Sequence, residues 1–171
     1  FGTLIGVVRN DDFQPWKPVF DIYILKEDEE RFKDVLWLLM DVGFRLARYE
    51  RRGLFYLERN GEYIKVFVLH KISSDVRHTG GSDFIHEKYL QNTVKWDFKG
   101  IKLNVPTEVD EYLTFQYGAD WTIPKQTVVY SSALLTKWKL WLVARSQDIM
   151  PDTLYYAWLL RHRQKDFRKF M

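Results

Sequence analysis

Between Val19 and Leu25 the sequence reads Val-Phe-Asp-Ile-Tyr-Ile-Leu, an apolar, β-prone run with one acid, Asp21, set inside it. A carboxylate in a buried strand is costly unless it is paired, hydrogen-bonded or bound to a metal ion. Any fold of this chain must therefore satisfy Asp21 structurally or put it to use, and the run alone favours neither. The residues before it add a second constraint. Phe1 to Arg9 reads as a Gly-Thr turn opening a short helix, followed by a loop holding Pro15 and Pro18. Gly2, Thr3 and Gly6 are small enough for the backbone to approach another group closely, such as a phosphate at a helix N-terminus.

The 171 residues suit one domain with a real core, and 46% hydrophobic content excludes a disordered chain. Aromatics make up 17%, which suits a core and also a sugar or base platform. There is no cysteine, so disulfides, thiol catalysis and cysteine-ligated zinc are excluded. The net charge of +3 comes from mixed signs, 26 basic against 23 acidic residues. No basic stripe with interleaved aromatics stands out, so no nucleic acid is expected as partner. No run is apolar enough for a membrane span.

Lys26 to Gly43 has the pattern of a helix, with Phe32, Val35, Leu36, Leu38, Leu39 and Val42 on one face. Glu27 to Glu30 reads as its solvated first turn and Gly43 as its C′ residue. Phe44–Tyr49, Leu54–Glu58 and Tyr63–Leu69 read as strands, with Asn60-Gly61 as a hairpin turn. Arg48, Arg51, Arg52 and Arg59 read as the wet face of that hairpin. His70 to Ile85 reads as a loop, suited to moving over a substrate. His70, His78 and His86 lack a ligand spacing and read as exposed or core histidines. Thr93–Phe98 and Ile101–Val105 form a second hairpin around Lys99-Gly100. A helix follows from Pro106-Thr107 to Tyr117, with Thr107 and Asp110 as a loose capping box and Gly118 as its end. Ser131–Ser146 and Pro151–Phe170 read as two further helices. The last of these turns is basic and compatible with an anionic membrane surface.

Two blocks carry a family resemblance. Gly2-Thr3-Leu4-Ile5-Gly6-Val7-Val8-Arg9, then Pro15-Trp16, then Phe20-Asp21-Ile22 resembles the opening motif of the LicD/fukutin family. Phe98 through Pro106 and Tyr112-Leu113, then Tyr117-Gly118-x-x-Trp121-x-x-Pro124, resembles its second signature. The resemblance implies an α+β, nucleotidyltransferase-like fold related to DNA polymerase β, with a mixed sheet flanked by helices. On that basis residues 1–130 form the core, and 131–171 a C-terminal helical pair packed on it. A helix before residue 1 is also implied, so the chain is expected to be a piece of a longer domain. The implied activity is transfer of a phospho-alcohol, such as phosphocholine or ribitol phosphate, from a CDP-activated donor to a glycan. Gly2, Thr3, Gly6 and Arg9 would bind donor phosphates, Asp21 would hold metal or orient the acceptor hydroxyl, and Tyr117 and Trp121 would line the acceptor side. The compartment depends on the source: cytoplasm or membrane periphery in a bacterium, Golgi lumen in a eukaryote.

The chain departs from the family where Mg²⁺ or Mn²⁺ would bind. The family's first strand carries acids across the positions of Lys17, Pro18, Val19 and Asp21, and only Asp21 is acidic here. The later strand's aspartate position is Lys65. Three readings stay open: an active transferase with an unusual metal set, one in which Lys17 and Lys65 replace the cations as catalytic charges, and an inactive relative kept for binding or scaffolding.

Overall fold

Two antiparallel hairpins turn on residue pairs with positive φ at both positions, the geometry that matches the right-handed twist of paired strands. Asn60 (φ 54°) and Gly61 (φ 82°) join β3 (Leu54–Arg59) to β4 (Glu62–Lys71). Lys99 (φ 51°) and Gly100 (φ 81°) join β7 (Thr93–Phe98) to β8 (Ile101–Pro106). Both hairpins stand as the sequence predicts. The computed structural model describes residues 2–14, 19–80, 83–124, 138, 145 and 149–162.

The main sheet is organised on β4. β3 pairs along its first half antiparallel, with β2 (Arg45–Glu50) beyond it. β5 (Val76–Thr79) and β6 (Phe84–His86) extend the order antiparallel from its last residues. β1 (Val19–Leu25) runs parallel to β4. The sheet is therefore mixed, and with its helices the fold is α+β. One face, from Ile22, Ile24, Phe55, Leu57, Val66 and Val68, packs on α2 (Glu29–Asp41) through Phe32, Leu36 and Leu39. The opposite face packs on α1 (Gly2–Asn10), α3 (Lys88–Gln91) and α4 (Val109–Tyr117), with Ile5, Leu69, Ile85, Tyr89 and Leu113 in the core.

Several expectations need correction. Where the sequence predicts a loop over a substrate, residues 70–71, 76–79 and 84–85 lie in strands. β4 runs on to Lys71, and β5 is buried at all four positions. Glycines and serines masked a β-branched, pairable core there. The α2 stripe is narrower than predicted: Phe32, Leu36 and Leu39 carry the packing on the sheet, and Val35, Leu38 and Val42 are exposed. Lys26–Asp28 is a separate 3₁₀ turn. Glu29 is buried, not solvated, and its carboxylate pairs with Lys26 and Lys33. Burial pushes its pKa up, but these two cations outweigh that and hold it below its ordinary value. Arg52 is buried too, its guanidinium 3.7 Å from the Tyr155 ring centroid. Thr107 and Asp110 form no capping box: Pro106 still belongs to β8, and α4 starts at Val109 without a side-chain cap. Gly43 does end α2 in a Schellman arrangement, with φ 91°, its N–H on the Met40 carbonyl and the Phe44 N–H on that of Leu39.

Of the two C-terminal helices, Ser131–Ser146 lies almost wholly outside the described residues. The other appears as α5 (Asp152–His162), with Tyr155 and Leu159 buried and Leu154 exposed. Among the described residues no helix is long and apolar enough to cross a membrane.

Arg77 ties the two halves together. It is buried on β5, donates to both Glu27 oxygens at 2.7 and 2.9 Å, and reaches Glu87 at 2.7 Å. Hydrogen bonds from Arg77 hold the Glu27 carboxyl down at about 2.

Candidate active site

Asp21 is satisfied first through its backbone. The buried Thr3 hydroxyl accepts the Asp21 N–H at 2.8 Å, which clamps the start of α1 to the middle of β1. Gly2, Thr3 and Gly6 are all buried. The close approach that Gly6 permits is to the chain's own backbone: a Cβ there would lie 2.6 Å from the Asp12 carbonyl oxygen and 3.2 Å from the Gln14 nitrogen. Gly6→Ala should therefore destabilise the protein by roughly 1–3 kcal/mol, read as a lower urea midpoint.

Asp21 faces a cavity of about 470 Å³ between β1, α1 and the β8–α4 corner. Thr3, Asp21 and Asn104 supply polar groups to its wall, and Tyr23, Leu69 and Tyr112 are among the apolar ones. A mostly apolar hollow with few convergent polar groups is the usual form of a small-molecule site.

Lys65 is the register partner of Asp21 across the parallel β1–β4 pair. Neighbours in register present their side chains on one face of the sheet. The half-buried Lys65 leans its ammonium 5.4 Å from the Tyr56 ring centroid, on the next strand. It borders Asp21 without lining the cavity wall. Val19, another of the positions where the family carries an acid, pairs with Tyr63. Lys17 lies outside the described residues.

Arg9 sits at the far end of α1 from Thr3 and is not part of the cavity wall. Its Nε donates to Asn10 and its Nη1 to the Trp121 carbonyl at 3.4 Å. Its Nη2 is buried with no hydrogen-bond partner among the described residues, a donor that an anion's oxygen would satisfy. This contact joins the two sequence blocks in space. Trp121 itself is half-buried against the core. Tyr117 keeps 40% of its surface exposed, yet burial of the phenol, then the charges of Asp83 and Asp21, push its pKa well up. Burial does the same to Tyr23, with Tyr112, Asp21 and Asp83 adding to it. Both phenols therefore stay protonated at neutral pH and can donate hydrogen bonds but not act as bases.

Asp83 was missed by sequence reasoning. It stands just before β6, in a segment that reads as a flexible loop, yet its charge reaches the same two phenols as that of Asp21. An acid directly before the β-prone Phe84-Ile85-His86 was the available signal.

Among the described residues no three His, Asp or Glu side chains gather into a cation-binding group. The cavity wall carries the carboxylates of Asp21 and Asp28, and the position in register with Asp21 brings an ammonium, which opposes a cation.

An uncharacterized protein of Rickettsia typhi (strain ATCC VR-144 / Wilmington) is 28% identical over 134 residues, covering 76% of this chain and 41% of that protein. An uncharacterized protein of Rickettsia prowazekii (strain Madrid E) is 26% identical over 137 residues, covering 76% and 49%. The chain thus spans less than half the length of these two relatives. Among solved structures, the lincomycin-bound lincosamide antibiotic adenylyltransferase LnuA is similar at 14% identity and a TM-score of 0.42, over 68% of this chain and 70% of that one. The family pattern for the LicD/FKTN/FKRP nucleotidyltransferase domain matches residues 1–108, a span that holds α1, β1 and β4 and stops before Tyr117 and Trp121. With that span covering most of the chain, the protein belongs to the LicD/FKTN/FKRP family.

Proposed function

We propose that this domain moves a phosphorylated alcohol, of phosphocholine or ribitol phosphate type, from a CDP-activated donor to a hydroxyl of a glycan. Lys65 stands in for a cation-binding carboxylate. The observation that carries the reading is the Asp21–Lys65 register beside a hollow opened by the start of α1.

The acceptor oxygen attacks the phosphorus that bears the alcohol, the bond from that phosphorus to the CMP oxygen breaks, and CMP leaves. Asp21 orients the acceptor hydroxyl and takes its proton. Lys65 offsets the negative charge on the transferred phosphoryl group, the electrostatic part of phosphoryl transfer. The backbone at Gly2 and Thr3, with Gly6 beneath it, approaches the donor phosphates, and Lys17, two residues before β1 in sequence, adds charge. Arg9, whose Nη2 has no hydrogen-bond partner among the described residues, balances donor charge from the far end of α1. Tyr117 and Trp121 border the acceptor.

Calorimetric titration of CDP, CDP-choline and CDP-ribitol, each with Mg²⁺ or with EDTA, tests this. Donor binding should survive EDTA and weaken about tenfold or more in Lys65→Ala, equivalent to about 1.4 kcal/mol. Binding that strictly requires Mg²⁺ would contradict the role given to Lys65. The position of Lys65 also favours a second reading, an inactive relative that keeps the fold for binding or scaffolding. Absence of binding by a folded sample would select that reading.

A further inference from the structure

Beneath α5 the sheet carries a pair of histidines, and among the described residues no carboxylate is hydrogen-bonded to either ring. His70 on β4 and His78 on β5 are register partners, their ring centroids 5.5 Å apart. His78 is 0% exposed, and neither of its ring nitrogens has a hydrogen-bond partner among the described residues. His70 lies with Nε2 3.1 Å from the Arg52 carbonyl and Nδ1 3.3 Å from the Tyr156 hydroxyl. A carbonyl only accepts, so Nε2 carries the proton and Nδ1 accepts from Tyr156. Tyr156 closes over His78 edge-on at 5.2 Å. The pair is thus held neutral, with one α5 side chain touching both rings.

The acids that act on His70, Glu29 and Asp152, are engaged with other cations, and burial and His70 alone act on His78. From the 3₁₀ turn comes Lys26, and from α2 comes Glu29, already paired with Lys26 and Lys33. From the turn before β3 come Arg51 and the buried Arg52, whose guanidinium covers Tyr155 and donates to the Met150 carbonyl at 2.7 Å. From α5 comes Asp152, half-exposed and facing Arg51 and Arg52 at 3.6 and 3.8 Å. Tyr155 and Tyr156 remain phenols.

We propose that His70 and His78 form a proton-operated latch, and that protonation of the pair releases α5 from the sheet. Two imidazolium rings at stacking distance beside Arg52 would repel each other and could not be hydrated while α5 stays seated. Release also frees the site's edge. Tyr155 donates to the Gly80 carbonyl, and Gly80 is wedged with φ 39° against the Arg52 carbonyl. Three residues on in sequence is Asp83, whose backbone oxygen accepts the Thr79 N–H at 3.0 Å.

The direction of the pH effect is fixed by burial. Burial, with the neighbouring His70, holds docked His78 down at about 4, and burial also lowers His70. A released histidine returns to about 6.5. Docking is therefore undiminished above about pH 6.5 and weakens as pH falls toward 4. The latch does not depend on the proposed transfer reaction.

Hydrogen exchange of the full chain between pH 7.5 and 4.5, corrected for intrinsic rates, tests the latch. Amides of 152–162 should lose protection at least tenfold between pH 6.5 and 4.5 while β3 and β4 keep theirs. In His78→Leu that loss should disappear. If His78→Leu does not fold, His70→Gln should shift the loss to lower pH. Equal loss in 152–162 and in β3–β4 would mean general acid unfolding and would overturn the latch. So would unchanged protection at pH 4.5, or a variant with the wild-type profile.

Discussion

Asp21→Asn should lower phospho-alcohol transfer by about 10²- to 10⁴-fold, the range by which a positioned general base contributes. The variant should keep its fold, because the Thr3 hydroxyl holds Asp21 through the backbone N–H, which Asn retains. Donor affinity should change little, since the substitution removes an acceptor-side base and leaves Lys65 in place. Steady-state kinetics with a CDP-linked donor would show the loss in kcat with KM for the donor nearly unchanged. If Asp21→Asn transferred as fast as the wild type, Asp21 would be a structural acid, and the reading of the cavity as a reaction site would fail with it.

Leu113→Ala should cost about 2–5 kcal/mol of stability. Leu113 on α4 is 0% exposed and packs in the core cluster with Ile5, Leu69, Tyr89 and Tyr112. Those neighbours come from four different elements, so the void cannot close by shifting one of them. Urea denaturation should show a lower midpoint with an unchanged slope, the signature of lost stability rather than altered compactness. Because Tyr112 and Leu69 also line the cavity, donor binding should weaken as well. Tyr155→Phe, by contrast, should mainly loosen α5, since it removes the hydrogen bond from the Tyr155 hydroxyl to the Gly80 carbonyl.

The readable parts of the sequence were those with strong local chemistry. Asn60-Gly61 and Lys99-Gly100 take the positive φ values that a two-residue hairpin demands. Asp21 marked its strand, and the parallel register shows which residue stands beside it, Lys65. The misreadings came from tertiary context. Glycines and serines around β5 suggested a loop, yet long-range pairing with β4 and burial made it a strand. Arg52 and Glu29 read as solvated charges, and their burial became visible only with Tyr155, Lys26 and Lys33 around them. Asp83 reaches the site through a connection whose path no local pattern specifies.

The parallel pairing of β1 with β4 has a kinetic consequence. The two hairpins close between sequence neighbours, whereas β1 can reach β4 only after α2, β2 and β3 have been accommodated between them. Contacts between distant parts of a chain come at the greatest loop-closure entropy and tend to form late. Asp21 and Lys65 would then meet among the last events of folding, so a partly folded chain would carry ordered hairpins and no assembled charge pair. Recovery of donor binding during refolding should lag behind recovery of β-sheet signal, making ligand capture a clock for the final step of assembly.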